Sequence, residues 1–364
     1  MSRVNYLGVC GKLVIFASMN GNKKKRRYVL QQLFWEATLR CNMECRHCGS
    51  DCLKVSETAD MPLADFLPVL DEIKAAQPGR LPYVFTLGGE PLVRPDILRC
   101  GREITERGFV WGMVSNAMLI DGEMMRALSA NGLRSLAIDV DGTAAEHNWL
   151  RRNDSAFDRV FDAISHIRKA PHLIWDVITC VHSRNIAVLP ELRRMLVDAG
   201  VKRWRCFTIV PMGRAKDNPE LLLTDSQFTE LMEFIVQTRA GGQIDLSYSC
   251  EGYLGDYEMR VRPYPFHCQA GEAVASIRGN GDISGCLSIR SAYTQGNIYR
   301  DSFWDVWTSR FGFCRDREWM RTGVCADCDV FDRCQGNGMH LRRDDGSLMH
   351  CNYRRLQGLS AMQD

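Results

Sequence analysis

The chain carries almost no net charge: 46 Lys and Arg against 44 Asp and Glu leave +2 over 364 residues. That balance gives no electrostatic case for nucleic acid or an anionic membrane as the principal partner. No apolar run reaches the length of a bilayer span. The apolar pieces near the amino end, such as Leu13-Val14-Ile15-Phe16, are interrupted by Asn5, Gly8, Gly11 and Lys12. A basic run follows them, which is the wrong order for a secretion signal. There is no internal repeat, low-complexity segment or long flexible linker. Hydrophobic residues at 45% and charged residues at 25% are ordinary for a globular protein. Sixteen cysteines are not ordinary. Without an export signal the expected setting is cytoplasmic and well reduced, where such a chain binds metal in preference to forming disulfides.

Three of the cysteines stand in Thr38-Leu39-Arg40-Cys41-Asn42-Met43-Glu44-Cys45-Arg46-His47-Cys48, directly after an apolar and aromatic run that reads as a strand. The C-x3-C-x2-C spacing lets one loop wrap Cys41, Cys45 and Cys48 around a single metal centre. Cubane clusters normally take four thiolates, so three ligands leave one iron open to a small molecule. Structural zinc is the plainer alternative, but it usually takes two separated ligand pairs rather than a lone triplet.

A chain of 364 residues exceeds one ordinary core, so a large α/β unit with a smaller appended module is expected. Residues 3–30 read as a β-hairpin, two apolar runs flanking Asn20-Gly21-Asn22 and the basic Lys23-Lys24-Lys25-Arg26-Arg27, itself read as a solvated loop. From residue 33 strand and helix patterns alternate. Strands are expected at 33–40, 83–87, 109–114, 135–140, 174–181 and 203–210. Helices are expected at 62–76, 95–107, 122–130, 155–170, 187–199 and 225–240. Six βα units imply a parallel sheet with right-handed crossovers, that is, a partial (β/α)6 TIM-like barrel whose site lies at the carboxyl ends of its strands. Beyond residue 240 helix periodicity fades and eight cysteines crowd the last third. The expected division is therefore an extension over 1–32, a barrel over 33–245 and a cysteine-rich unit over 246–364.

The second strand ends in Gly88-Gly89-Glu90, the third in Ser115-Asn116, and the fourth in Asp139-Val140-Asp141-Gly142. Glycines admit a ligand close to backbone groups, and Glu90 offers an anion to an ammonium group. The short polar side chains suit a ribose or a carboxylate. Arg151 or Arg152, in the segment that follows, can pair bidentately with a carboxylate.

This combination resembles the radical S-adenosylmethionine (radical SAM) superfamily over residues 33 to about 245. The resemblance implies that Cys41, Cys45 and Cys48 ligate a [4Fe-4S] cluster and that His47 packs near the adenine of SAM. It further implies that Gly88, Gly89 and Glu90 meet the SAM amino group, that Ser115 and Asn116 meet ribose and carboxylate, and that Arg152 reaches the carboxylate. The implied chemistry is one-electron cleavage of the sulfonium to a 5′-deoxyadenosyl radical, with an electron donor such as flavodoxin or ferredoxin.

The tail holds Cys268, Gly281 and Cys286 in the pattern C-x12-G-x4-C, then Cys325, Cys328 and Cys334 as C-x2-C-x5-C, and Cys351. By spacing alone the last four could hold tetrahedral zinc. Their order resembles the SPASM extension of radical SAM enzymes that modify peptides and proteins. That resemblance implies a distal auxiliary cluster on Cys325, Cys328, Cys334 and Cys351, and a nearer one involving Cys268 and Cys286. Gly338 stands where the family pattern has one more cysteine. The nearer cluster could then borrow Cys250 or Cys314, keep an open iron, be a [2Fe-2S] form or be absent, with Cys250 the better placed by sequence. Glu251, Tyr253, Asp256, Tyr257, Glu258 and Arg205 are candidates for contact with substrate, none of them singled out. The leading expectation is hydrogen abstraction from a peptide or protein side chain. A small-molecule substrate in cofactor biosynthesis and a zinc-stabilised binding scaffold are the alternatives.

Overall fold

The computed structural model describes residues 28–249, 251–289 and 293–359. The first run and turn of the expected hairpin lie outside those residues. Its second run leads into β1, Gln32–Thr38. Five further strands follow at the expected places: β2 Tyr83–Gly88, β3 Val110–Ser115, β4 Leu133–Asp139, β5 Ile174–Val181 and β6 Arg203–Thr208. The expected helices are there too: α1 Leu63–Ala76, α2 Ile97–Glu106, α3 Gly122–Ala130, α5 Ala156–Ile167, α6 Leu189–Asp198 and α7 Asp225–Gly241, with α4, Ala144–Arg151, added before α5.

The strands make an α/β architecture because their apolar runs are buried on both faces, as a parallel sheet under helices requires. Leu33, Trp35 and Ala37 of β1 are fully buried, and Trp35 stacks on Phe66 of α1 at 4.1 Å between ring centroids. The best-defined helix start is that of α7. There the Thr224 hydroxyl accepts from the Gln227 N–H while the Gln227 side chain accepts from the Thr224 N–H, satisfying two end donors at once.

Four strands exceed the expected six units. A seventh parallel strand, β7 (Asp245–Tyr248), pairs with β6. On the other side β8 (Val274–Ile277) pairs parallel with β1, and β9 (Asp282–Ser284) and β10 (Gly296–Asn297) continue antiparallel. The sheet therefore runs β10-β9-β8-β1-β2-β3-β4-β5-β6-β7 and stays open, with β7 and β10 as its edges. Residues around the Cys268-to-Cys286 pattern thus extend the sheet that carries the first cysteine loop. No helix among the described residues is long and apolar enough to cross a membrane.

Candidate active site

The cysteine loop leaves β1 and is fastened from several directions. Cys41 N–H donates to Leu53 O at 2.7 Å, and Arg46 N–H to Leu150 O at 2.9 Å. The Arg46 guanidinium bonds Trp149 O at 3.1 Å and lies 4.7 Å from the Trp149 ring centre. From the turn after β6, Arg214 gives its backbone N–H to Cys48 O at 3.0 Å and its side chain to Cys45 O, Asp51 and Cys52 O at 2.8, 2.7 and 3.0 Å. That close approach needs Gly213, which has φ +55° and where a Cβ would fall 2.3 Å from Cys48 O. Gly213→Ala should destabilise the protein by about 1–3 kcal/mol, the range for forced backbone strain. It should also lower the iron bound per chain after reconstitution, measured by colorimetric iron assay beside the melting curve.

Glycines 88 and 89 face the same loop. A Cβ on Gly89 would lie 2.0 Å from Arg40 O, and Gly89 and Glu90 N–H donate to Thr38 O and Arg40 O at 2.7 and 2.9 Å. These glycines therefore admit the protein's own chain as well as bordering the cavity described below. Glu90, expected to offer an anion to an ammonium group, is placed otherwise. It is fully buried, its Oε1 accepts from Leu92 N–H at 3.0 Å and the Ser115 hydroxyl at 2.9 Å, and its Oε2 accepts from Asn116 N–H at 2.8 Å. The carboxyl thus clamps the end of β2 to the end of β3 and does not line the cavity. Burial, outweighing those three donors, pushes its pKa up to about 7.

At the end of β4, Asp139 and Asp141 share one cation. Arg151 lies 3.1 Å from Asp139 and 2.6 Å from Asp141, is 5% exposed, and also approaches Cys45 Sγ at 3.9 Å. Burial raises the Asp139 carboxyl to about 6 despite the nearby guanidinium. Asp141 feels the same burial, but Arg151 and the surrounding histidines bring it down to about 2. Arg152 is not part of this group: it caps α4 in the left-handed conformation, φ 55°, and is exposed. The arginine brought to the site is therefore Arg151, because α4 places it one turn beyond His147 on the inward face. His147 Nδ1 accepts from Asp141 N–H at 3.0 Å. His47 Nδ1 is buried with no hydrogen-bond partner among the described residues, and burial together with Arg151 pushes the His47 pKa down to about 3, so it is neutral.

Two cavities open here. One, of about 260 Å³, is lined by Cys41, Cys45, Cys48, Gly88, Gly89, Ser115, Asn116, Asp139 and Arg151 among others. Of the expected residues, the three cysteines, His47, Gly88, Gly89, Ser115 and Asn116 line this one space, with Arg151 in place of Arg152, while Glu90 does not. The other, of about 270 Å³, borders the ends of β5 and β6, and His47, Gly49 and Met212 line both. The first cavity suits a metal cluster. Burial drives the Cys41 thiol up to about 12 and raises Cys45 as well, while the hydrogen bond with Cys52 brings Cys48 down to about 5, so the first two need strong local positive charge to become thiolates. Asn116 Nδ2 and Arg151 Nη1 approach the sulfurs of Cys41 and Cys45 at 3.8 and 3.9 Å, supplying the N–H···S contacts that tune such centres.

In the tail, Cys334 and Cys351 are raised mainly by burial, and each also feels the charge of Cys325 and Cys328, so these four thiols share one neighbourhood. Arg342 points at Cys325 Sγ from 3.6 Å. Among the described residues no three Cys, His, Asp or Glu side chains converge on a single ion. A cubane does not require that, because each iron takes its own thiolate. Near Cys268 stands Cys314, fully buried and raised chiefly by that burial, with Cys268 the next cause, while Arg317 bonds the carbonyls of both. Cys250 lies outside the described residues. Cys334→Ala should cost about four irons per chain yet leave 5′-deoxyadenosine formation from SAM measurable by liquid chromatography.

Comparison with known proteins bears on these groups. A family model described as the Radical SAM superfamily matches residues 35–196, and one described as SPASM, an iron-sulfur cluster-binding domain, matches residues 268–329. Similar proteins include the AdoMet-dependent heme synthase of Methanosarcina barkeri, 25% identical over 88% of this chain and 95% of the relative. Another is the mycofactocin maturase MftC of Mycobacterium tuberculosis, 27% identical over 84% of this chain and 78% of the relative. Among solved structures, Streptococcus suis SuiB bound to the precursor peptide SuiA aligns with a TM-score of 0.69 at 16% identity, over 86% of this chain and 72% of that one. Native anSMEcpe with bound AdoMet and the Cp18Cys peptide aligns at 0.68 and 16%, over 91% and 96%. At that identity the two structures establish a shared fold.

Proposed function

Because the chain belongs to the radical SAM superfamily and carries a SPASM domain, we propose that it modifies a peptide or protein side chain by hydrogen abstraction. It is an enzyme whose cofactors are a [4Fe-4S] cluster, SAM and auxiliary iron-sulfur clusters. A reduced cluster of this kind supplies the electron that splits SAM into methionine and a 5′-deoxyadenosyl radical. Cys41, Cys45 and Cys48 hold it in this reading. Arg151 is held by Asp139 and Asp141 at the wall where a SAM carboxylate would sit. Glu90 acts through others: by gripping Ser115 and Asn116 it fixes the strand ends that meet the rest of SAM. The half-buried, neutral His47 lines both cavities and helps to exclude water from a radical that water-borne side reactions would waste.

The observation that carries the peptide reading is the tail running from Cys268 to Cys351, matched over residues 268–329 by a SPASM model, the extension that follows radical SAM cores acting on peptides and proteins. The relatives MftC, SuiB and anSMEcpe support the same choice, whereas the heme synthase relative favours a small-molecule substrate. A flavodoxin- or ferredoxin-like donor and a reducing cytoplasmic setting complete the reading. Mass spectrometry of a short peptide encoded beside the gene, incubated with reduced enzyme and SAM, should show a changed mass. An unaltered peptide together with rapid SAM cleavage driven by a small molecule would favour the second reading.

A further inference from the structure

Three buried guanidiniums stand beside the cysteine groups, and their partners differ. Arg151, next to Cys45, is offset by Asp139 and Asp141. Arg317, which bonds the carbonyls of Cys268 and Cys314, has Glu272 at 3.7 Å. Arg342 is 6% exposed, and among the described residues its hydrogen bonds reach no carboxylate. Its Nε donates to Gly336 O at 3.0 Å, its Nη1 to Gly346 O at 2.7 Å, and its Nη2 to Gly336 O and Met320 O at 2.9 and 3.2 Å. Nη2 also faces Cys325 Sγ at 3.6 Å. Asp344 and Asp345, close by in sequence, are exposed. Gly336 makes this cradle possible: with φ +77°, it stands where a Cβ would come 3.0 Å from Arg342 Nη2 and 2.6 Å from Met320. A guanidinium cannot shed its proton, so a buried one facing only carbonyls and a sulfur is costly until an anion completes it.

We propose that Arg342 is the buried counter-charge of the distal auxiliary cluster and holds that cluster's reduction potential above that of the cluster on Cys41, Cys45 and Cys48. The proposal rests on the reading in which Cys325, Cys328, Cys334 and Cys351 carry the distal cluster, and it adds what sets that cluster's potential. A cubane on four thiolates is an anion, and its reduction adds one more negative charge beside the same cation. In a buried surrounding that attraction is screened little, so the guanidinium favours the reduced form. An N–H directed at a ligand sulfur acts in the same direction. On the SAM side the two carboxylates around Arg151 offset such an effect. An electron shared between the two clusters therefore rests in the tail, with the SAM-side cluster oxidised and the distal one reduced.

The test is a redox titration of the full-length, cluster-loaded protein, kept anaerobic and followed by electron paramagnetic resonance. Two signals are assigned first: the SAM-side one changes shape when SAM is added, and the distal one is missing from Cys334→Ala. In wild-type protein without SAM the distal signal should appear at the higher potential. Arg342→Met removes the charge and keeps an apolar stem. At a fixed potential its ratio of reduced to oxidised distal cluster should fall at least tenfold, a downward shift of about 59 mV or more, while the SAM-side midpoint stays in place. Arg342→Lys keeps the charge and should lie closer to wild type than to Arg342→Met. A wild-type distal midpoint at or below the SAM-side one would overturn the proposal, as would an unchanged distal midpoint in Arg342→Met. If Arg342→Met loses its distal cluster, the order of the two wild-type midpoints and the position of Arg342→Lys decide the matter. Cys334→Ala that binds as much iron as wild-type protein would refute the distal cluster itself. A distal signal indifferent to residue 342 would remove the Arg342 assignment alone.

Discussion

Cys45→Ser is expected to lose about four irons per chain and to bring 5′-deoxyadenosine formation to the level of the no-enzyme control. The expectation follows from where Cys45 sits. It is buried at 8% exposure, faces the same cavity as Cys41 and Cys48, and is the thiol approached by Arg151. Two remaining thiolates cannot hold a cubane that already leaves one iron without a protein ligand. Serine keeps the size and the loop contacts made through Cys45 O, so the fold should survive, and iron quantification beside circular dichroism separates loss of cluster from loss of structure. Auxiliary clusters should remain in this variant. Intact protein should bind about eight irons per chain if one auxiliary site fills and about eleven to twelve if both do, so the variant should fall to about four, or to about seven to eight. An unchanged iron count would mean that these cysteines are ordinary thiols.

Arg151→Ala and Arg152→Ala should have sharply different effects. Removing Arg151 leaves the buried Asp141 and the half-buried Asp139 facing one another without their cation. Breaking a buried pair from one side typically costs about 3–5 kcal/mol. Urea unfolding followed by tryptophan fluorescence should show a loss of that order, and equilibrium dialysis should show SAM affinity falling with it. Arg152 is exposed beyond the end of α4, and its removal should stay within about 0.5 kcal/mol, as surface substitutions usually do. Equal effects, or a larger one at Arg152, would move the SAM-side cation back to the exposed position.

The six strands and their helices could be read from the sequence because buried parallel strands leave uninterrupted apolar runs and the helices leave a 3.6-residue rhythm. The cysteine loop was equally plain, since its chemistry lies in spacing within eight residues. Arg151 was harder. The segment after β4 read as a polar turn, yet His147, Leu150 and Arg151 lie three and four residues apart and mark one helical face, and that spacing alone would have chosen Arg151 over its neighbour. In sequence Glu90 offers an anion to an ammonium group, but its place before Pro91-Leu92 makes it the cap of a short turn, and a cap turns its carboxylate inward. β7 and β8 are four residues each, too short for alternation to show. Glu251 stood among six candidates with nothing to rank it. Only folding brings the Thr208 N–H and the Tyr248 hydroxyl to the same oxygen of its buried carboxyl, and no local pattern records a meeting across 43 residues of chain.

The account stands most directly on one measurement with wild-type protein. Cluster-loaded enzyme, reduced anaerobically with dithionite and supplied with SAM, should yield 5′-deoxyadenosine and methionine in equal amounts by liquid chromatography. Protein that holds its full complement of iron, binds SAM and still releases no 5′-deoxyadenosine would contradict it.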